Sequence, residues 1–188
     1  LTNSTITGLT ASTTYNVQVL AKDAVGNNSA LSNSVNATTT DGSTTTANEL
    51  FFSEYVEGSS NNKALEIVNV TNADVNLSGY SIKRQKNGGQ DGEVWGTALN
   101  LSGIITKGDV YVLINGSATN QTLIDEADWV QPNSSATNFG DPINFNGNDP
   151  VGLFKNDVLI DIVGTYNGGS SNFAKDKTLR RKSGVSQP

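Results

Sequence analysis

Three glutamates, Glu54, Glu57 and Glu66, sit in the run LFFSEYVEGSSNNKALEIVN at residues 50–69. Two carboxylates facing one another are the minimum apparatus for acid–base hydrolysis, and retaining glycosidases hold such a pair about 5 Å apart. The run reads as two apolar, β-rich stretches around a polar turn, so a hairpin would bring Glu54 beside Glu66. Strict alternation puts Leu50, Phe52, Glu54 and Val56 on one face, with an acid among apolar side chains. The same residues also have a structural use. A glutamate here can pair with Lys63 or accept turn N–H bonds from Ser59, Ser60 or Asn61.

The remaining chemistry is narrow, because histidine and cysteine are both absent. A Ser-His-Asp triad, a Cys-His pair, a His-bound metal and a thiolate zinc site are thereby excluded. Carboxylate, lysine, tyrosine and all-oxygen metal chemistry remain. Two loops are oxygen-rich: NFNGNDP with Asn144, Asn146, Asn148 and Asp149, and GGQDGE with Asp91 and Glu93. Neither has EF-hand spacing, and Asn, Gly and Asp are ordinary turn residues. Asn146, Asn148 and Asp149 stand as the calcium candidates, and no other cofactor is expected.

Basic residues gather at Lys175, Lys177, Arg180, Arg181 and Lys182, with a smaller group at Lys83, Arg84 and Lys86. On a strand Arg180 and Lys182 share a face and Arg181 takes the other, which dilutes a patch unless the turn lysines join it. The first group is the candidate contact for DNA or another polyanion; its alternative role is to blunt a sheet edge against aggregation. Trp95 and Trp129 read most simply as packing bodies. A glycan-binding reading needs one of those rings in an open groove.

Composition points to many short strands. Charged residues make up 16% and apolar residues 35%, with Gly, Ser, Thr and Asn filling the turns. The formal charge of −6 opposes non-specific nucleic-acid binding, which needs clustered cations. No stretch approaches the roughly 20 apolar residues of a membrane span, so membrane insertion is not expected. Residues 1–20 lack the basic start and apolar block of a signal peptide. An Asn/Thr/Ser-rich surface with few lysines leans towards a secreted bacterial protein.

Three segments follow. In residues 1–39, Tyr15, Val17, Val19 and Ala21 alternate with polar neighbours, a turn occupies DAVGNN and a polar strand lies near Ser32–Thr38. GLTASTTYNVQVLAKDAVGN resembles the second half of a fibronectin type III domain, with Leu9 six residues before Tyr15. The first half of such a sandwich is missing, so the chain is expected to be part of a longer protein, with this partial sheet poorly ordered or covered by a neighbour. Residues 40–48 (TDGSTTTAN) read as a linker. From 49 to 188 the pattern predicts strands at 50–56, 63–69, 80–85, 96–101, 109–115, 142–145, 152–155, 158–164 and 178–182. One short helix is predicted near 120–128, capped by Thr122.

From residue 50 to about 182 the chain resembles a bacterial lamin-tail domain, through FFSEYVEGSSNNKALEIVN, VNLSGYSIKRQ, ITKGDVYVLIN, NFNGNDPVGLFKNDVLIDIVG and TLRRK in order. The resemblance implies an all-β, immunoglobulin-like antiparallel β-sandwich and a non-catalytic module. It implies a spacer, adhesive or targeting role beside neighbouring domains of a longer chain, with an extracellular nuclease as the expected parent. Those neighbouring domains are the expected partners, extracellular DNA or surface polysaccharide are the candidate ligands, and the expected setting is secreted or bacterial cell surface. Bacterial members continue past the TLRRK strand, so the last sheet edge is expected to be incomplete here. Because the opening stretch matches a framework hairpin of the family, its glutamates are expected to be structural and no catalytic residue is assigned.

Overall fold

A computed structural model describes residues 6–10, 13–39, 47–132 and 142–188. The chain divides into two compact units between residues 44 and 45. Of the expected 40–48 linker only residues 47 and 48 are described; the remainder lies outside the described residues.

The first unit pairs β1 (Thr14–Val17) antiparallel with β2 (Val35–Thr38), Tyr15 opposite Ala37. The alternating run extends to Ala21 in the sequence, yet the strand stops at Val17. Beyond it Val19 and Ala21 donate their N–H groups to the hydroxyls of Ser32 and Ser29 rather than to carbonyls, which interrupts the ladder. Tyr15 keeps its position by accepting a 2.8 Å bond from the Thr10 N–H. In the DAVGNN turn, Asp23 Oδ1 accepts from the N–H groups of Val25 and Asn27.

The second unit is a sandwich. One sheet has the order β10-β9-β4-β3-β13, built from β3 (Phe51–Glu57), β4 (Lys63–Val68), β9 (Val110–Ile114), β10 (Trp129–Val130) and β13 (Thr178–Arg180). The other has the order β12-β11-β6-β7, from β6 (Tyr80–Arg84), β7 (Leu99–Asn100), β11 (Val151–Lys155) and β12 (Val158–Val163). A small pair, β5 (Val75–Asn76) and β8 (Ile104–Ile105), stands apart. Between the large sheets lies a core to which Phe52, Tyr55, Leu65 and Ile67 contribute from one side and Ile82, Val151 and Leu153 from the other. These are the period-two apolar positions, and burying them against one another is what stabilises the two layers.

Four departures from the sequence pattern have physical causes. A register shift between Phe52 and Glu54 inserts Ser53 as a bulge, so Tyr55 and Glu57 turn inward and Glu54 outward. Glu54 therefore does not share the face of Leu50 and Phe52. The strand expected at 142–145 is absent: Ile143 and Phe145 are buried in the core, but the Ile143 backbone bonds to the Gln131 and Asn115 side chains instead of a ladder. Asn120, not Thr122, caps the helix α1 (Gln121–Asp125), its side chain accepting from Leu123 N–H at 3.3 Å. Finally, β10 joins β9 in parallel, a pairing allowed because the chain returns through α1 rather than through a tight hairpin.

Candidate functional site

The bulge decides what the three glutamates do. Glu54 and Glu66 stand directly opposite across β3 and β4, and like charges so placed repel unless each finds a partner. Arg180, opposite Glu54 on β13, places its Nε 2.9 Å from Glu54, while Ser53 donates to Glu66 Oε1 at 2.6 Å. Glu57 faces inward, where Lys63 Nζ meets it at 2.5 Å and the Asp176 N–H donates to its other oxygen. Among the described residues the Ser59, Ser60 and Asn61 N–H groups do not donate to a glutamate, and the turn is closed by Gly58 and Asn62 donating to the carbonyls of Asn62 and Ser59. The carboxylates are thus occupied in tying β3 to β4, β13 and the segment before β13.

A second charged cluster escaped the sequence pattern. Glu49 accepts from Lys155 Nζ at 2.8 Å, from the Tyr80 hydroxyl and from the Leu50 N–H. Tyr80 and Lys155 are register partners on β6 and β11, and the ammonium sits 5.0 Å from the tyrosine ring centroid. Burial pushes the Glu49 carboxyl upward, but the Lys155 and Tyr80 hydrogen bonds prevail and hold it below the usual range. The hydrogen bonds to Glu49 and Tyr80 in turn raise Lys155. A lysine held charged is neither base nor nucleophile, so the cluster clamps the start of β3 to the opposite sheet. Tyr55 lies in the core, and burial, with Glu57 and Asp149 nearby, pushes its phenol strongly upward.

The calcium candidates share one loop, but its carboxylate is already occupied. Asp149 is buried, with Oδ2 3.1 Å from Arg84 Nη1 and Oδ1 accepting the Asn87 N–H at 2.6 Å. A cation there would have to displace a guanidinium. Asn146 is exposed and donates its N–H to Asp149, whereas Asn148 reaches the Ser170 carbonyl at 3.1 Å. Asp91 and Glu93 are exposed. Among the described residues no group of three acidic side chains is placed to hold a metal ion.

The basic cluster is divided. Arg180 is engaged by Glu54, and Arg181 by Asp161 and the Phe52 carbonyl. Lys175, Lys177 and Lys182 are exposed and make no ion pair with any described residue. Lys83 and Arg84 are taken by Asp157 and Asp149, which leaves Lys86 from the smaller group. Asp161 also accepts the Phe52 N–H at 2.8 Å, so Arg181 and Asp161 join the edges of the two sheets.

Trp129 packs against the core. Trp95 is half-buried on the outside of the four-stranded sheet, stacked on Tyr166 at 5.0 Å and edge-on to Phe154 at 5.3 Å. Neither ring lines a cavity described here. One cavity among the described residues, about 410 Å³, runs over Val56, Ala64, Val110 and Val112 under α1, with Glu54, Glu66 and Arg180 also lining it. A second, about 240 Å³, follows the gap between β12 and β13. The third, about 310 Å³, lies in the loop between β12 and β13, beside Asn148.

No helix among the described residues is long and apolar enough to cross a membrane. Among curated proteins no match to the chain is found. The family model described as Lamin Tail Domain matches residues 43–167. That span takes in both sheets except β13, whose residues the resemblance to 182 also covered. With two thirds of its length matched and an immunoglobulin-like all-β sandwich behind the match, the chain belongs to the lamin tail domain family.

Proposed function

We propose that the sandwich is a non-catalytic module of a secreted or cell-surface bacterial protein, serving as spacer, adhesive or targeting unit beside other domains of a longer chain. The observation that carries this reading is the employment of its acids. Glu49, Glu54, Glu57, Asp149 and Asp161 each hold a cation that joins strands or loops, so the carboxylates most able to do chemistry are committed to the frame. The Thr10–Tyr15 bond in the first unit supports a fibronectin type III origin for residues 1–39, because sandwiches of that kind tie a corner tyrosine to backbone a few residues upstream. The family association with extracellular nucleases makes a nuclease the proposed parent. The chain incubated with plasmid DNA and magnesium is expected to leave the DNA intact; magnesium-dependent cleavage that survives repurification would overturn the reading.

The exposed, unpaired Lys175, Lys177 and Lys182 favour one rival, a DNA-binding accessory of that nuclease. Three such cations, without an ion pair among the described residues and set against a net charge of −6, give only weak, strongly salt-dependent binding. A mobility shift at low salt that disappears in Lys175→Ala/Lys177→Ala/Lys182→Ala would establish the rival. The absence of a shift at high protein concentration would remove it.

A further inference from the structure

The loop between β12 and β13 is braced far more heavily than a connection requires. Gln85, fully buried, accepts the Asn167 N–H at 2.8 Å and donates to Asn167 Oδ1 at 2.6 Å. Gly169 donates to the Gly88 carbonyl at 3.0 Å, Asn148 Nδ2 to the Ser170 carbonyl at 3.1 Å, and Gly168 to Thr165 at 3.0 Å. Asn167 itself adopts a left-handed φ of 56°. Such bracing pre-organises a surface loop, and a pre-organised concavity loses less on binding than a mobile one.

The brace borders an open concavity of about 310 Å³, at the small end of the roughly 300–1,000 Å³ of small-molecule sites. Its chemistry is neutral throughout. Thr165, Ser171 and Asn172 bring hydroxyl and amide groups that bond to no described residue. Phe173 and Pro150 supply apolar wall, and the Phe173 ring is seated on Gly164, where a Cβ would lie 2.6 Å from Cζ. No charged side chain lines it. Asn148, which does, has an Oδ1 shielded from solvent and without a hydrogen-bond donor among the described residues.

We infer that this cavity binds a neutral sugar residue, with hydroxyls to Thr165, Ser171 and Asn172 and the C–H face of the ring on Phe173. A phosphate or sulfate would find no cation in the wall, and a metal ion no carboxylate. The inference rests on the adhesive or targeting reading above and gives it a ligand class. It relocates the sugar contact from Trp95 and Trp129 to a site that neither ring lines.

Amide and side-chain NMR of the full chain, titrated separately with glucose, galactose, mannose and N-acetylglucosamine, tests it. One of the four is expected to give saturable shifts centred on Gly168, Gly169, Ser171, Asn172 and the Asn148 side chain, with a Kd on the order of 1–10 mM. Ser171→Ala/Asn172→Ala, both exposed positions, should weaken that binding at least about tenfold while the remaining spectrum is unchanged. Three results would each overturn the inference: no shift with any of the four sugars, shifts centred on Trp95 and Tyr166, or the same loop shifts on adding calcium chloride alone. A null titration removes the sugar site and leaves the spacer role to be judged by the cleavage assay.

Discussion

Lys63 and Glu57 meet with side chains only 7% and 6% exposed, which makes the pair sensitive to a single substitution. Truncating the lysine leaves a carboxylate in the interior with no cation, a loss of about 3–5 kcal/mol. Lys63→Met should therefore lower the urea midpoint sharply, and Lys63→Met/Glu57→Gln should recover part of the loss. A single-variant cost below about 1 kcal/mol would show that the pair is not a buried charge pair. Glu49 predicts a pH effect. Its folded pKa is depressed, so its contribution is complete above the ordinary glutamate value of about 4.3 and is lost as pH falls through the depressed value. Glu49→Gln should be less stable at neutral pH and should show a shallower fall in melting temperature below about pH 4.3. The Glu57–Lys63 pairing was legible because the two residues flank one turn. The partners Tyr80 and Lys155 lie 31 and 106 positions from Glu49, and no local pattern announces them.

At the scale of elements, the strands were legible wherever alternation and turn chemistry agreed. Asn156 and Asp157 adopt φ of 49° and 63°, the left-handed pair expected of a two-residue hairpin loop, and β11 and β12 follow on either side. Ile143 and Phe145 show the opposite case: a core-facing alternation becomes a strand only if a neighbour offers backbone, and here Gln131 and Asn115 offered side chains. The Ser53 bulge had no signal of its own in the sequence, yet it turns one acid outward to Arg180 and another inward to Lys63. The segment Lys86–Gly92 makes a testable element. Gly88 has φ 56°, and a Cβ there would lie 2.1 Å from the Gly169 carbonyl oxygen. Gly88→Ala should cost more than about 1 kcal/mol, since neither backbone can yield alone. Circular dichroism melts of the variant check this, and an unchanged melting temperature would mean that the two loops do not touch.

For the whole molecule, the division between residues 44 and 45 predicts that the sandwich folds without the preceding unit. A chain of residues 45–188 should melt within a few degrees of the matching transition in the full chain, by calorimetry; a large downward shift would show that the first unit stabilises the second. Composition and order alone determined the class, an all-β sandwich of short strands without His or Cys chemistry, because periodicity and turn residues are local properties that act within a few positions. The family resemblance lay in the same ordered motifs. Only the tertiary structure decided which charges neutralise which, and where a braced, neutral cavity would form. Those outcomes depend on register and on contacts between residues far apart in the chain, and one inserted residue in β3 is enough to reverse which acid faces the core.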